Sequence, residues 1–99
     1  GTWVTDFLDR INIDTAYIST AGISRELNII TSNMELANIL KKVIEKSDEI
    51  NLLVDSSKFF RKEMLNVSTI RNFTRIITDD AIDAEHLKLL KGAGPDIVY

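Results

Sequence analysis

Apolar runs and amphipathic segments alternate along the chain. Short apolar runs predict strands near 15–19, 50–54, 74–78 and 96–98. Apolar residues at helical spacing predict helices at 2–12, 33–46 and 84–91. Strands that alternate with helices are typical of a parallel sheet with right-handed crossovers. The pattern therefore predicts an α/β domain in which a parallel sheet is flanked by helices.

The helix at 33–46 has the clearest pattern. Ser32-Asn33-Met34-Glu35 fits a capping box at its start. Its apolar stripe consists of Leu36, Ala37, Leu40, Val43 and Ile44, and we expect Leu36, Leu40, Val43 and Ile44 to pack the helix on the sheet. Two weaker regions are predicted as irregular: 24–31 as a loop or a short extended piece, and 59–65 as a helical turn or a loop. Buried anchors are expected at Val67, Ile70 and Phe73.

The strand near 50–54 and the turn after it are the most informative stretch. This strand is almost uninterrupted apolar, which is typical of a strand covered on both faces. The chain then continues at once into Asp55-Ser56-Ser57-Lys58. Ligands of open parallel sheets bind outside the carboxyl ends of the strands, so this turn is a candidate site for a polyol with an anionic group. The alternative is a plain polar turn, in which Asp55 caps the following segment and Lys58 lies in solvent.

Composition narrows the class of protein. The 99 residues are 44% hydrophobic and 27% charged, which is ordinary for a single globular domain. The net charge of -3 argues against nucleic-acid binding by this segment itself, because such binding usually needs a basic face. There is no cysteine, no ligand spacing typical of a zinc site, and no apolar run near the ~18–20 residues that span a bilayer. We therefore expect a cytoplasmic domain that uses no cofactor, no metal and no membrane.

Several short motifs occur in a fixed order along the chain. Gly1 precedes a helix that leads to Asp14 and an apolar strand, and the pair Gly22-Ile23 follows. Glu35 then opens a helix, and Asp55-Ser56-Ser57-Lys58-Phe59 and Ile77-Thr78-Asp79 come after the next two strands. This ordered set resembles the C-terminal part of the effector-sensing domain of DeoR-type bacterial transcriptional repressors. The Asp-Ser-Ser-Lys-Phe motif is its most specific element.

The resemblance implies a winged helix-turn-helix joined to an α/β sensor related to the ribose-phosphate isomerase and CoA-transferase folds. In such repressors the sensor binds a phosphorylated sugar or a similar metabolite, and this weakens operator binding. Residues 1–99 would be the C-terminal part of the sensor, with its first half and the DNA-binding domain outside this sequence. Operator DNA would then be bound only through that absent domain, and a homo-oligomer is expected.

Two other classes of function stay open from the residues. The first is a fragment of a sugar-phosphate isomerase or a CoA-transferase-like enzyme, since Asp55 and Lys58 could imitate a general base and a carbonyl-polarising partner. The second is a packing or oligomerisation half-domain whose polar turn binds nothing. The resemblance runs along the whole chain and favours the non-enzymatic sensor.

Five residues are the candidate effector contacts: Asp55, Lys58, Ser57, Gly22 and Glu35. Lys58 would meet the anionic group of the effector, and Asp55 would accept hydrogen bonds from its hydroxyls. Ser57 is interpreted mainly as a turn former, and Gly22 as a backbone residue, either in a turn with positive φ or at a close approach to ligand. The capping box accounts for Glu35, with a pocket role as the alternative.

A few further positions carry expectations. Phe60 and Asn28 stand where family members usually carry glycine, and asparagine tolerates the left-handed backbone that such a glycine would adopt. Asp79 is expected in a turn, His86 as a surface or partly packed imidazole, and Trp3 in the core or in an interface.

Overall fold

The computed structural model describes residues 2–99, so that Gly1 of the motif set lies outside the described residues. The helices are α1 (Thr2–Leu8), α2 (Met34–Lys46) and α3 (Ala84–Lys91). The strands are β1 (Ile13–Ser19), β2 (Gly22–Ile23), β3 (Asn28–Thr31), β4 (Ser47–Leu53), β5 (Leu65–Thr69), β6 (Arg75–Ile77) and β7 (Asp96–Val98). Single 3-10 turns follow β4 and β5, at Ser56–Lys58 and Ile70–Asn72. Among residues 2–99, no helix is long and apolar enough to cross a membrane.

Four of the strands form one parallel sheet in the order β1-β4-β6-β7. Because each strand pairs with the strand that precedes it in this sheet, every connection is a crossover in the same direction. The prediction of an α/β domain with four parallel strands and a helix over 33–46 is confirmed. The first helix is shorter than predicted and ends at Leu8, its buried residue, while Trp3 is exposed and does not belong to the core.

The core lies on one face of this sheet. Alternate residues of the central strands point into it, and Leu52 and Ile76 are completely buried there. Burying one such side chain stabilises the fold by about 1.5–3 kcal/mol. Helix α2 covers this face with Ala37 and Leu40, and Val43 and Ile44 pack at its margin. The expected anchors Val67, Ile70 and Phe73 are all buried in the same core.

The start of α2 corrects two details of the predicted helix. Asn33, and not Ser32, is the N-cap, because its Oδ1 accepts a hydrogen bond of 2.9 Å from the Leu36 N–H. Glu35 is therefore one position too early in the helix for a capping box. Leu36 is 42% exposed, so it was wrongly placed in the packed stripe. Ala37, another member of the predicted stripe, is buried on the face turned toward the sheet.

A second sheet was not predicted. β2, β3 and β5 form a three-stranded antiparallel sheet. The second half of 24–31 is β3, which agrees with the short extended piece that the sequence analysis allowed there, but its pairing was not predicted. Ile29, Ile30 and Thr31 are buried there. These strands are short, and β3 is stabilised by pairing with β5, which lies far along the chain. Local periodicity carries no signal of such pairing.

The other face of the parallel sheet is open in the described part of the chain. Tyr17, Leu53 and Val98 are exposed on it, and Leu53 keeps 43% of its surface accessible. Between them lies an ion pair of 2.9 Å from Arg75 Nη1 to Glu49 Oε1, and the same nitrogen donates to Asn51 Oδ1 at 3.0 Å. The strand near 50–54 was predicted to be covered on both faces. Within residues 2–99 only one of its faces is covered, so the prediction is wrong for this part of the chain.

We expect the 99-residue chain to associate with itself through this open face. Leu53→Gln should reduce the association measured by sedimentation velocity at rising concentration, because it replaces a central apolar side chain without adding charge. Leu89→Gln is the matched control, since Leu89 of α3 is 45% exposed but lies outside this face. A chain that stays monomeric at every concentration, or an equal effect of both variants, would contradict the expectation.

Candidate functional site

The turn after β4 is closed by its own side chains. Asp55 caps the 3-10 turn, and its Oδ1 accepts hydrogen bonds from the Ser57 N–H at 2.9 Å and from the Ser57 hydroxyl. The Lys58 N–H donates to the Asp55 carbonyl at 3.0 Å. The Ser57 hydroxyl, its N–H and the nearby charge of Lys58 lower the pKa of Asp55. Asp55 thus has the capping role of the alternative interpretation, while Lys58 is half-buried and not free in solvent.

Asp79 joins this turn to the neighbouring strand β6. Its Oδ2 accepts a hydrogen bond of 2.8 Å from the Ser56 N–H, and its Oδ1 accepts one of 2.9 Å from the Ala81 N–H. The Val54 N–H also donates to the Ile77 carbonyl at 3.0 Å. Bonds from the Ser56 N–H and hydroxyl are the largest causes of the lowered pKa of Asp79. The sequence analysis expected only a turn at Asp79, although the aspartates at the ends of two adjacent predicted strands were a signal for this link.

Asp79→Asn should destabilise the fold near neutral pH, because an amide nitrogen cannot accept the backbone N–H that one carboxylate oxygen accepts. The pKa of Asp79 is lower in the folded chain than in the unfolded chain. The contribution of the Asp79 carboxylate to the stability of the fold is therefore fully present above its pKa in the unfolded chain. It is lost as the pH falls through its pKa in the folded chain.

Urea unfolding between about pH 5 and pH 2 measures this loss. The difference in the free energy of unfolding between the parent chain and Asp79→Asn should become smaller as the pH falls. The control is Asp80→Asn, which changes the neighbouring exposed aspartate. A difference that keeps its size over this range, or an equal effect of the control, would show that Asp79 does not hold the turn through its carboxylate.

Gly22 lies directly against the segment that follows the turn. A Cβ placed on Gly22 would come within 3.0 Å of both the Lys58 carbonyl oxygen and Arg61 Cβ. The Arg61 N–H donates to the Ile23 carbonyl at 3.1 Å, and Ile23 also forms an isolated parallel bridge with Phe59. Gly22 does not have a positive φ, so its expected role in a left-handed turn is wrong. Glycine is needed at this position because segment 58–61 approaches the backbone so closely.

Gly22→Ala should therefore lower the free energy of unfolding by about 1–3 kcal/mol, because the added methyl group overpacks this contact. The matched control is Gly92→Ala at the end of α3. There the nearest atoms to an added Cβ are carbonyl oxygens 3.7 Å away, and φ of -74° suits alanine. The control should be neutral or slightly stabilising in the same thermal and urea unfolding measurements. Equal stability of Gly22→Ala and the parent chain would contradict the close approach.

Two non-glycine residues have a left-handed backbone in the described chain: Leu27, with φ of 64°, and Phe60, with φ of 56°. Phe60 is the position at which the resemblance implies a glycine, and its left-handed conformation is one that glycine adopts without strain. The expected left-handed residue Asn28 is wrong by one position, since Leu27 takes this conformation and Asn28 opens β3.

The ring of Phe60 is held from two sides. It meets the half-buried ring of His86 edge-on, with 4.3 Å between the centroids, and the Arg25 guanidinium lies 5.2 Å from its centroid. A left-handed non-glycine residue costs about 1–2 kcal/mol, and an aromatic pair contributes about 0.5–1.5 kcal/mol beyond its area burial. The two effects are therefore of similar size, and the contacts of the ring can offset the backbone strain.

The structure brings together four of the five candidate effector contacts. Asp55, Ser57 and Lys58 belong to one turn, and Gly22 lies so near that an added Cβ would come within 3.0 Å of the Lys58 carbonyl oxygen. Glu35 lies elsewhere, in the first turn of α2, where it borders a shallow depression shared with residues of α1.

A family model, that of the DeoR C-terminal sensor domain, matches residues 1–80. The chain belongs to this family. The resemblance proposed from its motifs is thereby confirmed. The turn at 55–58 and the Asp79 that holds it both fall within the part of this DeoR sensor chain that the family covers.

Characterised relatives extend well beyond this DeoR sensor segment. It is 26% identical to the HTH-type transcriptional regulator GlpR of Haloferax volcanii over 98 residues, which are 99% of this chain and 38% of that protein. It is 30% identical to the HTH-type transcriptional regulator IolR of Bacillus subtilis, over 80% of this chain and 32% of that protein. It is 27% identical to the glycerol-3-phosphate regulon repressor of Escherichia coli, over 80% of this chain and 31% of that protein. The chain thus spans about a third of the length of these relatives.

Proposed function

We propose that this chain is the effector-sensing segment of a DeoR-type transcriptional repressor and that it binds a phosphorylated sugar or a related metabolite at the 55–58 turn. The observation that carries the proposal is the position of this turn. It lies at the carboxyl end of β4, fixed to the end of β6 by Asp79. This edge is where open parallel sheets bind their ligands.

The side chains of the turn suit a ligand that combines an anion with hydroxyl groups. The lowered pKa keeps Asp55 ionised, and both bonds from Ser57 use Oδ1, so that Oδ2 can accept from a sugar hydroxyl. Within residues 2–99 Lys58 forms no ion pair, so its ammonium can meet a phosphate group as a compact charge. One relative, the glycerol-3-phosphate regulon repressor, has a phosphorylated polyol in its name.

The remainder of the proposed repressor lies outside residues 1–99. A winged helix-turn-helix would bind operator DNA, and the first half of the sensor would complete the effector site and cover the open face of the parallel sheet. The length of the relatives supports this division, as does the apolar character of that face around Leu53. We also expect the intact protein to form a homo-oligomer.

The electrostatics of the turn favour binding over catalysis. A sugar-phosphate isomerase needs a general base whose pKa lies near the working pH. The pKa values of Asp55 and Asp79 are both shifted downward, away from that range, and both carboxylates already accept backbone N–H groups. The proposal is therefore a sensor without catalytic activity.

In the intact repressor, Lys58→Met should keep operator binding but weaken release by sugar phosphate. Loss of a charge-assisted hydrogen bond costs about 1.5–3 kcal/mol. This corresponds to about one to two orders of magnitude in effector affinity. Asp55→Asn should weaken release less, because the amide oxygen can still accept from a hydroxyl.

Operator titrations with and without a panel of sugar phosphates, at one fixed salt concentration, measure both effects. Lys41→Met is the matched control, since it removes an exposed lysine of α2 far from the turn. If Lys58→Met and Lys41→Met both respond to effector like the parent, the turn is structural and the proposed site is wrong.

A further inference from the structure

A cleft of about 460 Å³ lies beside the turn but does not include it. One wall is the connection between β2 and β3, with Ser24, Arg25 and Asn28. The other wall is segment 60–66, and Ile30 lines the cleft between them. Its volume falls within the range of small-molecule sites, which is roughly 300–1,000 Å³. We propose that this cleft binds a small anionic ligand with an apolar portion, at a site separate from the 55–58 turn.

The charge around the cleft is opposite to that of the chain. Three cations line it, Arg25, Arg61 and Lys62, against two carboxylates, Glu26 and Glu63, which leaves a net charge of +1 (3 - 2). The whole chain carries -3. Within residues 2–99 none of these three cations forms an ion pair. Their donors are therefore available to a carboxylate or a phosphate group.

Backbone hydrogen bonds hold both walls in place. The Ser24 N–H donates to the Asn28 carbonyl at 2.9 Å, and the Asn28 N–H donates to the Ser24 hydroxyl oxygen at 3.2 Å. On the other side, the bond from Arg61 to Ile23 ties segment 60–66 to β2. A ligand would enter a cleft whose walls are already ordered, so that binding needs little further loss of chain entropy.

Of the two left-handed non-glycine residues in the described chain, Phe60 lines the cleft, and Leu27 lies in the β2–β3 connection that forms one wall, without lining the cleft itself. Such strained conformations persist only where the surrounding structure determines them, and they concentrate at binding sites. The contacts with Arg25 and His86 also fix the ring of Phe60 at the cleft.

The apolar surface of the cleft sets the second requirement on the ligand. Phe60 and Met64 both line it, and Met64 is 84% exposed. An exposed thioether next to a fixed aromatic ring offers an adaptable surface to an apolar group. A free inorganic anion would use the cations alone, whereas an anion that carries a ring or an alkyl group would use both.

Amide NMR titration of the 99-residue chain tests the site with phenyl phosphate as the probe. Inorganic phosphate, which has only the anionic group of this probe, and phenol, which has only its aromatic group, are titrated for comparison. We expect shifts confined to residues 23–30 and 60–66, with phenyl phosphate binding more tightly than either half. Binding of phenol as tight as that of phenyl phosphate, or no binding of phenyl phosphate, would overturn the proposal.

The decisive variant combines Arg25→Gln with Arg61→Gln. Glutamine keeps the Cβ and Cδ atoms, which in Arg61 lie beside the space that a Cβ on Gly22 would occupy, so the fold should be retained. We expect phenyl phosphate affinity to fall by roughly tenfold or more, the factor for one lost charge-assisted hydrogen bond. The combination of Arg10→Gln with Arg71→Gln removes the same charge outside the cleft and should have little effect. Equal loss in both double variants would overturn the proposal, because it would show only a response to total charge.

Lys58→Met separates this site from the proposed effector site. Phenyl phosphate should bind to this variant as it binds to the parent chain. If the variant instead loses phenyl phosphate binding, and the shifts in the parent chain are centred on residues 55–58, the anion site is the turn and the cleft proposal fails. If binding persists while the intact Lys58→Met repressor still responds to sugar phosphate, the proposed effector site fails and the cleft site remains.

Discussion

The hydrogen bond from the Ser56 N–H to Asp79 is the constraint on which the candidate site depends. β4 and β6 are adjacent parallel strands, and the pairing between them ends at Leu53 and Ile77. Beyond that point the chains would separate, since the ladder supplies no further partners. Asp79 extends the connection by binding the turn after β4 and the loop after β6 with its two oxygens. The position of Asp55, Ser57 and Lys58 at the sheet edge is thereby determined by a residue more than twenty positions away.

Segment 58–61 is the point at which the two sheets meet. It leaves the turn of the parallel sheet and runs against β2 of the antiparallel sheet, where Gly22 has no side chain to obstruct it. Phe60, in its left-handed conformation, places its ring against His86 of α3, and the next residue still pairs with β2 through the bond from the Arg61 N–H to the Ile23 carbonyl. This segment takes part in both candidate sites: Lys58 belongs to the proposed effector turn, and Phe60 and Arg61 line the basic cleft. A ligand in one site would therefore contact a segment that also borders the other.

The two faces of the parallel sheet differ in a way that bears on function. One face is closed by α2, α3 and the anchors around Ile70, and it forms the hydrophobic core. The other carries Tyr17, Leu53 and Val98 around the ion pair of Glu49 and Arg75. A surface that combines exposed apolar side chains with an internal ion pair suits contact with another folded unit, because the apolar side chains gain from burial while the charges are already partnered. Under the function proposed above, this face would contact the rest of the sensor.

The sequence alone determined the features that depend on neighbouring residues. Periodicity identified the four parallel strands and α2. The ordered set of motifs identified the family, and its Asp-Ser-Ser-Lys-Phe element identified the candidate turn. It also indicated that Gly22 serves the backbone, but not how. The antiparallel sheet, the tie through Asp79, the close approach at Gly22, the exposure of Leu36 and the basic cleft were decided by the tertiary structure. Each of these depends on segments that are distant in the chain and meet only after folding, and the spacing of residues along one segment contains no information about which other segment will lie against it.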